Sequence, residues 1–140
     1  MAAFGGFLTG KEAAKYMLPR GRGSIFFTGA TASVRGGAGF AAFSGAKFAL
    51  RSLSQSMARE LGPQGIHVAH FIIDGAIDTP FIQENFPETY ALKEKNGILQ
   101  PTEIAEAYWS VHVQHPSAWT QEMDLSCLLY TSPSPRDAYV

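Results

Sequence analysis

Two nearly unbroken apolar runs, Ser24-Ile25-Phe26-Phe27-Thr28 and Ile66-His67-Val68-Ala69-His70-Phe71-Ile72-Ile73, constrain this chain more than any other feature. A strand with one face in water alternates apolar and polar residues, whereas a run without alternation reads as a strand covered on both faces. Between the runs lies the longest helical pattern, Phe40 to Leu61, stopped by Gly62-Pro63-Gln64-Gly65. Strands joined through a helix of that length need a crossover connection, which predicts a parallel sheet with helices on its faces.

The flanking segments fit this reading. From Phe7 to Leu18, Leu8, Ala13, Ala14, Met17 and Leu18 fall near one helical face and Lys11, Glu12 and Lys15 on the other. Pro19 and Arg20-Gly21-Arg22-Gly23 stop that helix. Asp74-Gly75 breaks the second run, and Asp78-Thr79-Pro80 starts another helix, with Asp78 or Thr79 as cap and Pro80 in the first turn. Residues 81–99 mix aromatics with charges without a period and are expected to form a mobile flap. Gln100-Pro101-Thr102-Glu103 opens a last helix, through about Gln114, with Thr102 as its expected cap. The order predicts an α/β fold with a doubly wound parallel sheet. Two or three strands are fewer than such a sheet holds, so the chain reads as truncated on its N-terminal side.

Charge narrows the function classes. Of 140 residues, 46 % are hydrophobic and 16 % charged, where about a quarter charged is usual. Eleven Lys and Arg against 12 Asp and Glu leave a net charge of −1, so neither nucleic acid nor a membrane surface is an expected partner. No apolar stretch approaches the roughly 18 residues of a spanning helix, and no signal-peptide pattern opens the chain. A cytoplasmic location is expected. Cys127, the only cysteine, allows no internal disulfide and no thiolate set for zinc, so no metal site and no reactive role are assigned to it. Its segment, Cys127-Leu128-Leu129-Tyr130-Thr131-Ser132-Pro133-Ser134-Pro135-Arg136-Asp137, breaks with what precedes it, because Ser-Pro repeats fit neither a buried strand nor a helix. It resembles translated adapter or vector sequence. Residues 1–125 are therefore read as the domain and 126–140 as a disordered, non-native tail.

Three segments in fixed order carry a family resemblance. Ile25-Phe26-Phe27-Thr28-Gly29-Ala30-Thr31 resembles the strand that ends in the catalytic serine of the short-chain dehydrogenase/reductase family. Phe43-Ser44-Gly45-Ala46-Lys47 resembles that family's Tyr-x-x-x-Lys helix, about thirteen residues after the serine position. Asp74-Gly75-Ala76-Ile77-Asp78-Thr79 resembles the Pro-Gly-x-Val-x-Thr turn that borders nicotinamide. The resemblance covers nearly all of residues 1–124 and implies a Rossmann-like fold and an NAD or NADP cofactor. It also implies cofactor contacts at Lys47, Gly75, Ile77 and Thr79. The Gly-rich dinucleotide turn is not in this chain: Gly36-Gly37-Ala38-Gly39 follows the serine loop and not a first strand.

Helical spacing explains the Tyr-x-x-x-Lys pair, since side chains four residues apart project from one face. In the family the lysine binds the nicotinamide ribose and lowers the tyrosine pKa, the tyrosine moves the proton, and the serine holds the substrate oxygen. Carried over residue by residue, only Lys47 is kept. Phe43 stands at the tyrosine position, Ala30 at the serine position and Ala2 near that of a relay asparagine. Phenylalanine has tyrosine's shape and no exchangeable proton. Thr31 and Ser33 are the hydroxyls nearest the serine position. Ser44 lies about 100° round the helix from Phe43 and is expected to face packing, Asp74 to serve the turn, and His67 and His70 to lie in the core.

Two readings follow. The first is an NAD(P)-dependent oxidoreductase-like protein acting on a small carbonyl or alcohol, with its usual proton route impaired. The alternative is a family-derived binding or scaffold protein without hydride transfer. The resemblance also implies a homo-oligomer formed through helices 7–18 and 40–61, where Ala13, Ala14, Ala41, Ala42, Ala46 and Ala49 allow close approach.

Overall fold

The computed structural model describes residues 2–129. Its regular elements are α1 (Ala2–Met17), β1 (Gly23–Ala30), α2 (Ala41–Leu61), β2 (Ile66–Asp74), α3 (Pro80–Asn85), α4 (Pro87–Tyr90), α5 (Pro101–His112) and β3 (Glu122–Ser126). The strands form one parallel sheet in the order β1-β2-β3. β2 is central. Gly23 pairs with Ile66 and Ala30 with Ile73 along one side of it, and His70 pairs with Glu122 and Asp74 with Ser126 along the other.

Alternation along the strands sorts the side chains between two cores. Ile25, Phe27, Ile66 and Val68 pack with Ala14 of α1 and Leu50, Met57 and Leu61 of α2. Phe26, Ala69, Phe71 and Ile73 pack with Leu99, with Ile104, Tyr108 and Val111 of α5, and with Met123 and Leu125 of β3. Ile66, Phe71 and Ile72 are completely buried, each worth about 1.5–3 kcal/mol relative to an exposed side chain. Burial on both faces is why the β2 sequence lacks alternation. The architecture is the expected α/β, Rossmann-like arrangement.

One glycine is dictated by a neighbouring ring. At Gly29 in β1, a Cβ would collide with Nε2 of the buried His70 and stand 2.6 Å from the Ser33 hydroxyl. Only a residue without a side chain fits between that imidazole and that serine.

Several local expectations are corrected. The first helix begins at Ala2 and not Phe7. Residues 81–99 are not a structureless flap: α3, α4 and a 3₁₀ segment at Ala91–Lys95 fill them, and Ile77 bridges to Leu99. Ile98 and Leu99 are buried, so apolar contact, not helical period, organises this stretch. Gln100, not Thr102, is the N-cap of α5, and it makes no capping side-chain bond. Pro101 at the first helical position sets that start, since its missing N–H needs no partner. β3, absent from the sequence reading, extends one residue past the 125 boundary, and the Leu128 N–H donates to the Asn96 carbonyl at 3.1 Å. The tail expected at 126–140 otherwise lies, from Tyr130 onward, outside the described residues. No helix among the described residues is long and apolar enough to cross a membrane.

Candidate active site at the C-terminal edge of the sheet

In open parallel sheets, ligands bind beyond the carboxyl ends of the strands. Here β1 ends at Ala30 and passes into a 3₁₀ turn, Thr31–Ser33, while β2 ends at Asp74 and passes into Gly75. A cleft of about 420 Å³ lies at these ends, lined by Ala30, Thr31, Arg35, Phe43, Ile73 and Gly75 among others. A larger cleft, about 770 Å³, lies at the opposite edge, among Arg20, Ser24, Gly65, His67, His112 and Trp119. It holds none of the expected site residues.

The structure brings Phe43 and Lys47 together on α2. The Lys47 ammonium lies 5.8 Å from the centre of the Phe43 ring and donates to the Thr28 carbonyl of β1 at 3.2 Å. Phe43 is 49 % exposed and forms one wall of the cleft. Ala30 forms another and offers no hydroxyl. Gly75, with φ +150°, holds a backbone that side-chain-bearing residues rarely adopt. Thr79 accepts from the Ile82 N–H at 3.3 Å and caps α3, so its hydroxyl already has a structural bond. Ile77 is fixed by its bridge to Leu99. Beside it, Asp78 pairs with Lys93 at 2.8 Å, and that pairing holds the Lys93 ammonium above its ordinary pKa.

The hydroxyls near the cleft sort by accessibility. Ser33 is completely buried and accepts from the Ala30 N–H at 3.0 Å. Ser44 is buried and donates to the carbonyls of Ala32, at 2.9 Å, and Arg35, at 3.2 Å, which fastens the turn to α2. Thr31 alone of these three lines the cleft, and its hydroxyl donates to Asp74 Oδ1 at 2.5 Å.

Beneath the site lies a network that the sequence reading missed. Arg51 of α2 donates through Nε and one terminal nitrogen to the two carboxylate oxygens of Glu122 on β3, at 2.8 and 2.9 Å. His70 Nδ1 lies 3.2 Å from the same carboxylate. Burial holds His70 below the ordinary imidazole value, only partly offset by Glu122, with Arg51 and Lys47 pushing the same way as burial. Burial raises Glu122, but Arg51 and then His70 outweigh it and keep the carboxyl below its usual range. The two partners lie 71 residues apart in the chain, so no local pattern announces them. His67 is buried beside Trp119, ring centres 4.5 Å apart, with Nε2–H donating to the Thr120 carbonyl at 2.7 Å. Both histidines are core residues, away from the cleft lining.

Comparison with known proteins bears out the family resemblance and the fold. Residues 1–89 match the short chain dehydrogenase family. Zerumbone synthase of Zingiber zerumbet is 33 % identical over 117 residues, covering 74 % of this chain and 44 % of that protein. A short-chain dehydrogenase from Rhodopseudomonas palustris has 50 % identity and a TM-score of 0.68, over 89 % of this chain and 48 % of that one. ElxO with NADP bound shares the fold at a TM-score of 0.74 and 16 % identity, over 87 % of this chain and 52 % of that one. The chain thus spans about half the length of these relatives. The matched stretch runs from α1 through the Phe43–Lys47 helix and β2 to the turn at Gly75, and with the shared fold it makes this chain a member of the short-chain dehydrogenase family.

Proposed function

We propose that these residues form the substrate and nicotinamide side of an NAD(P)-dependent oxidoreductase for small carbonyl or alcohol compounds. The observation that carries the reading is that the Lys47 ammonium lies 5.8 Å from the ring centre of Phe43, which with Ala30 and Gly75 lines the cleft. The residues present fit the nicotinamide end of a dinucleotide. A lysine ammonium has three donors, and the one on Thr28 leaves others for ribose hydroxyls. Gly75 presents bare backbone at the strand end, and Ile77 and Thr79 border it. When bound, the nicotinamide ring would exchange hydride with the substrate carbon. Lys47 would orient the ribose, and Phe43 would press an apolar wall on the substrate.

The missing hydroxyls at positions 30 and 43 favour a second reading, in which the protein binds nucleotide and acts as a scaffold. Exposed Phe4, Phe7 and Leu8 on α1 and Phe48 on α2 support self-association through these helices in either case. The test is titration of the full-length protein with nicotinamide nucleotides, combined with turnover of small ketones and alcohols. Lys47→Ala weakens nucleotide binding. Ordinary ketone reduction is slow, Phe43→Tyr alone helps little, and Phe43→Tyr with Ala30→Ser raises it by roughly 10²-fold, the scale of acid–base catalysis. Binding that is indifferent to Lys47→Ala sinks the site assignment, and binding without turnover in any variant leaves the scaffold.

A further inference from the structure

The replaced tyrosine and serine leave the cleft with one accessible hydroxyl that is backed by an ionisable group. Thr31 adjoins Ala30, lines the same cleft as Phe43, and its hydroxyl donates to Asp74 Oδ1 at 2.5 Å. That is the short separation of a hydroxyl bonded to a charged carboxylate. The two residues close off neighbouring strand ends, Thr31 just after β1 and Asp74 at the end of β2, so the sheet itself holds them in register. Ala30 lies opposite Ile73 in that register, which places the pair one step beyond the last rung. Ser33 and Ser44 are buried and engaged with backbone. Neither can reach a substrate.

We propose that Thr31 and Asp74 form a substitute proton route that serves oxidation of small apolar secondary alcohols. The proposal rests on the nicotinamide reading above. The alcohol oxygen takes the place beside Thr31 Oγ1, with its apolar groups against Phe40, Phe43 and Ile73, which line the same cleft. A bound oxidised nicotinamide would accept the hydride that leaves as the substrate C–H bond breaks. The alcohol proton passes to Thr31 Oγ1, and the Thr31 hydroxyl proton passes to Asp74 Oδ1. A ketone, a reduced nicotinamide and a protonated carboxyl result, and Asp74 then releases the proton to water. A carboxylate accepts protons more readily than it supplies them near neutral pH, so the pair favours oxidation over reduction. Thr31 touches the substrate oxygen; Asp74 acts through it.

The test uses the full-length protein with oxidised nicotinamide nucleotide and a panel of small secondary alcohols. Thr31→Val and Asp74→Asn each lower kcat at least 10-fold, with nucleotide Kd unchanged, and the double variant is no worse than either alone because the two act as a unit. Thr31→Ser, which keeps the hydroxyl, restores most of kcat. Independently of turnover, trifluoroethanol followed by fluorine NMR binds the nucleotide-loaded parent and Thr31→Ser, and several-fold more weakly Thr31→Val. Circular dichroism confirms that each variant is folded, and Thr31→Ser against Thr31→Val decides the matter if Asp74→Asn is not. Nucleotide binding with kcat within twofold of the parent in Thr31→Val overturns this route, as does nucleotide binding with no alcohol oxidation by the parent. Failure to bind nucleotide at all overturns the nicotinamide reading instead.

Discussion

On one face of the sheet, α5 lies over Phe26, Phe71 and Ile73, with the Phe71 and Tyr108 rings stacked and Val111 completely buried. On the other, α2 is fastened by directed bonds as well as by its apolar core. Arg51 grips Glu122, and Ser44 ties the 3₁₀ turn to the helix. Apolar packing stabilises without fixing a rotation, because dispersion and burial are nearly indifferent to direction. Hydrogen bonds and ion pairs specify one. α5 has directed bonds of its own, Tyr108 to Thr28 at 2.7 Å and His112 to Ser24 at 2.8 Å, but α2, the helix that carries Phe43 and Lys47, adds a two-pronged ion pair to the far strand.

Substitutions on the two faces separate these roles. The largest effect belongs to the apolar face: Phe71→Ala lowers stability by about 3–5 kcal/mol, as for other buried aromatics, measured as a shift in urea midpoint. A loss under about 1 kcal/mol means that this face does not carry the fold. Glu122→Gln costs less, about 1–3 kcal/mol, since it keeps the shape but weakens bonds to two partners in a half-exposed setting. It is also expected to shift the nucleotide affinity proposed to depend on Lys47, which Phe71→Ala leaves alone in the surviving folded fraction. Equal effects of both variants on that affinity would erase the distinction between the faces.

The smallest effect is a pH dependence, led on the α2 face by His70 and Glu122. The folded-state pKa of His70 lies below 6.5 because of burial, so the unfolded chain takes up its proton first as pH falls. Stability is therefore full above about pH 6.5 and declines below it. Glu122, held below the usual carboxylate range by Arg51 and His70 against the opposing effect of burial, adds a further loss as pH falls through the acidic range. His67 contributes with the same sign, burial being its main cause too. Urea midpoints between pH 7.5 and 5.5 fall in the parent and fall less in His70→Asn, and a parent insensitive to this change breaks the assignment of a buried neutral His70.

Much of the fold is written locally. The apolar runs at 24–28 and 66–73, and the long helical pattern ending at Gly62-Pro63, define β1, β2 and α2 by burial and period alone. β3 escapes such reading because Glu122-Met123-Asp124-Leu125-Ser126 is short and carries two acids. Glu122 is accommodated there by Arg51 and His70, and Asp124 faces solvent. The site is legible in part for the same reason. Phe43 and Lys47 share a helix face, and their meeting follows from spacing. Thr31 and Asp74 stand 43 residues apart, and only the parallel register of β1 and β2 makes them neighbours. Residues 81–99 lacked a period because their buried members, Ile98 and Leu99, serve a loop that bridges back to Ile77.

The space at Gly29 has a bearing on which sequences this fold admits. The hydrogen at position 29 and the imidazole at position 70 fill one shared volume on neighbouring strands, so neither position drifts alone. A side chain gained at 29 needs one reduced at 70, and a smaller residue at 70 leaves Arg51 and Glu122 as a pair where there had been three. Among relatives that diverge from this chain, the two positions are therefore expected to change together, and a change at 29 reaches the helix of Lys47 through His70, Glu122 and Arg51.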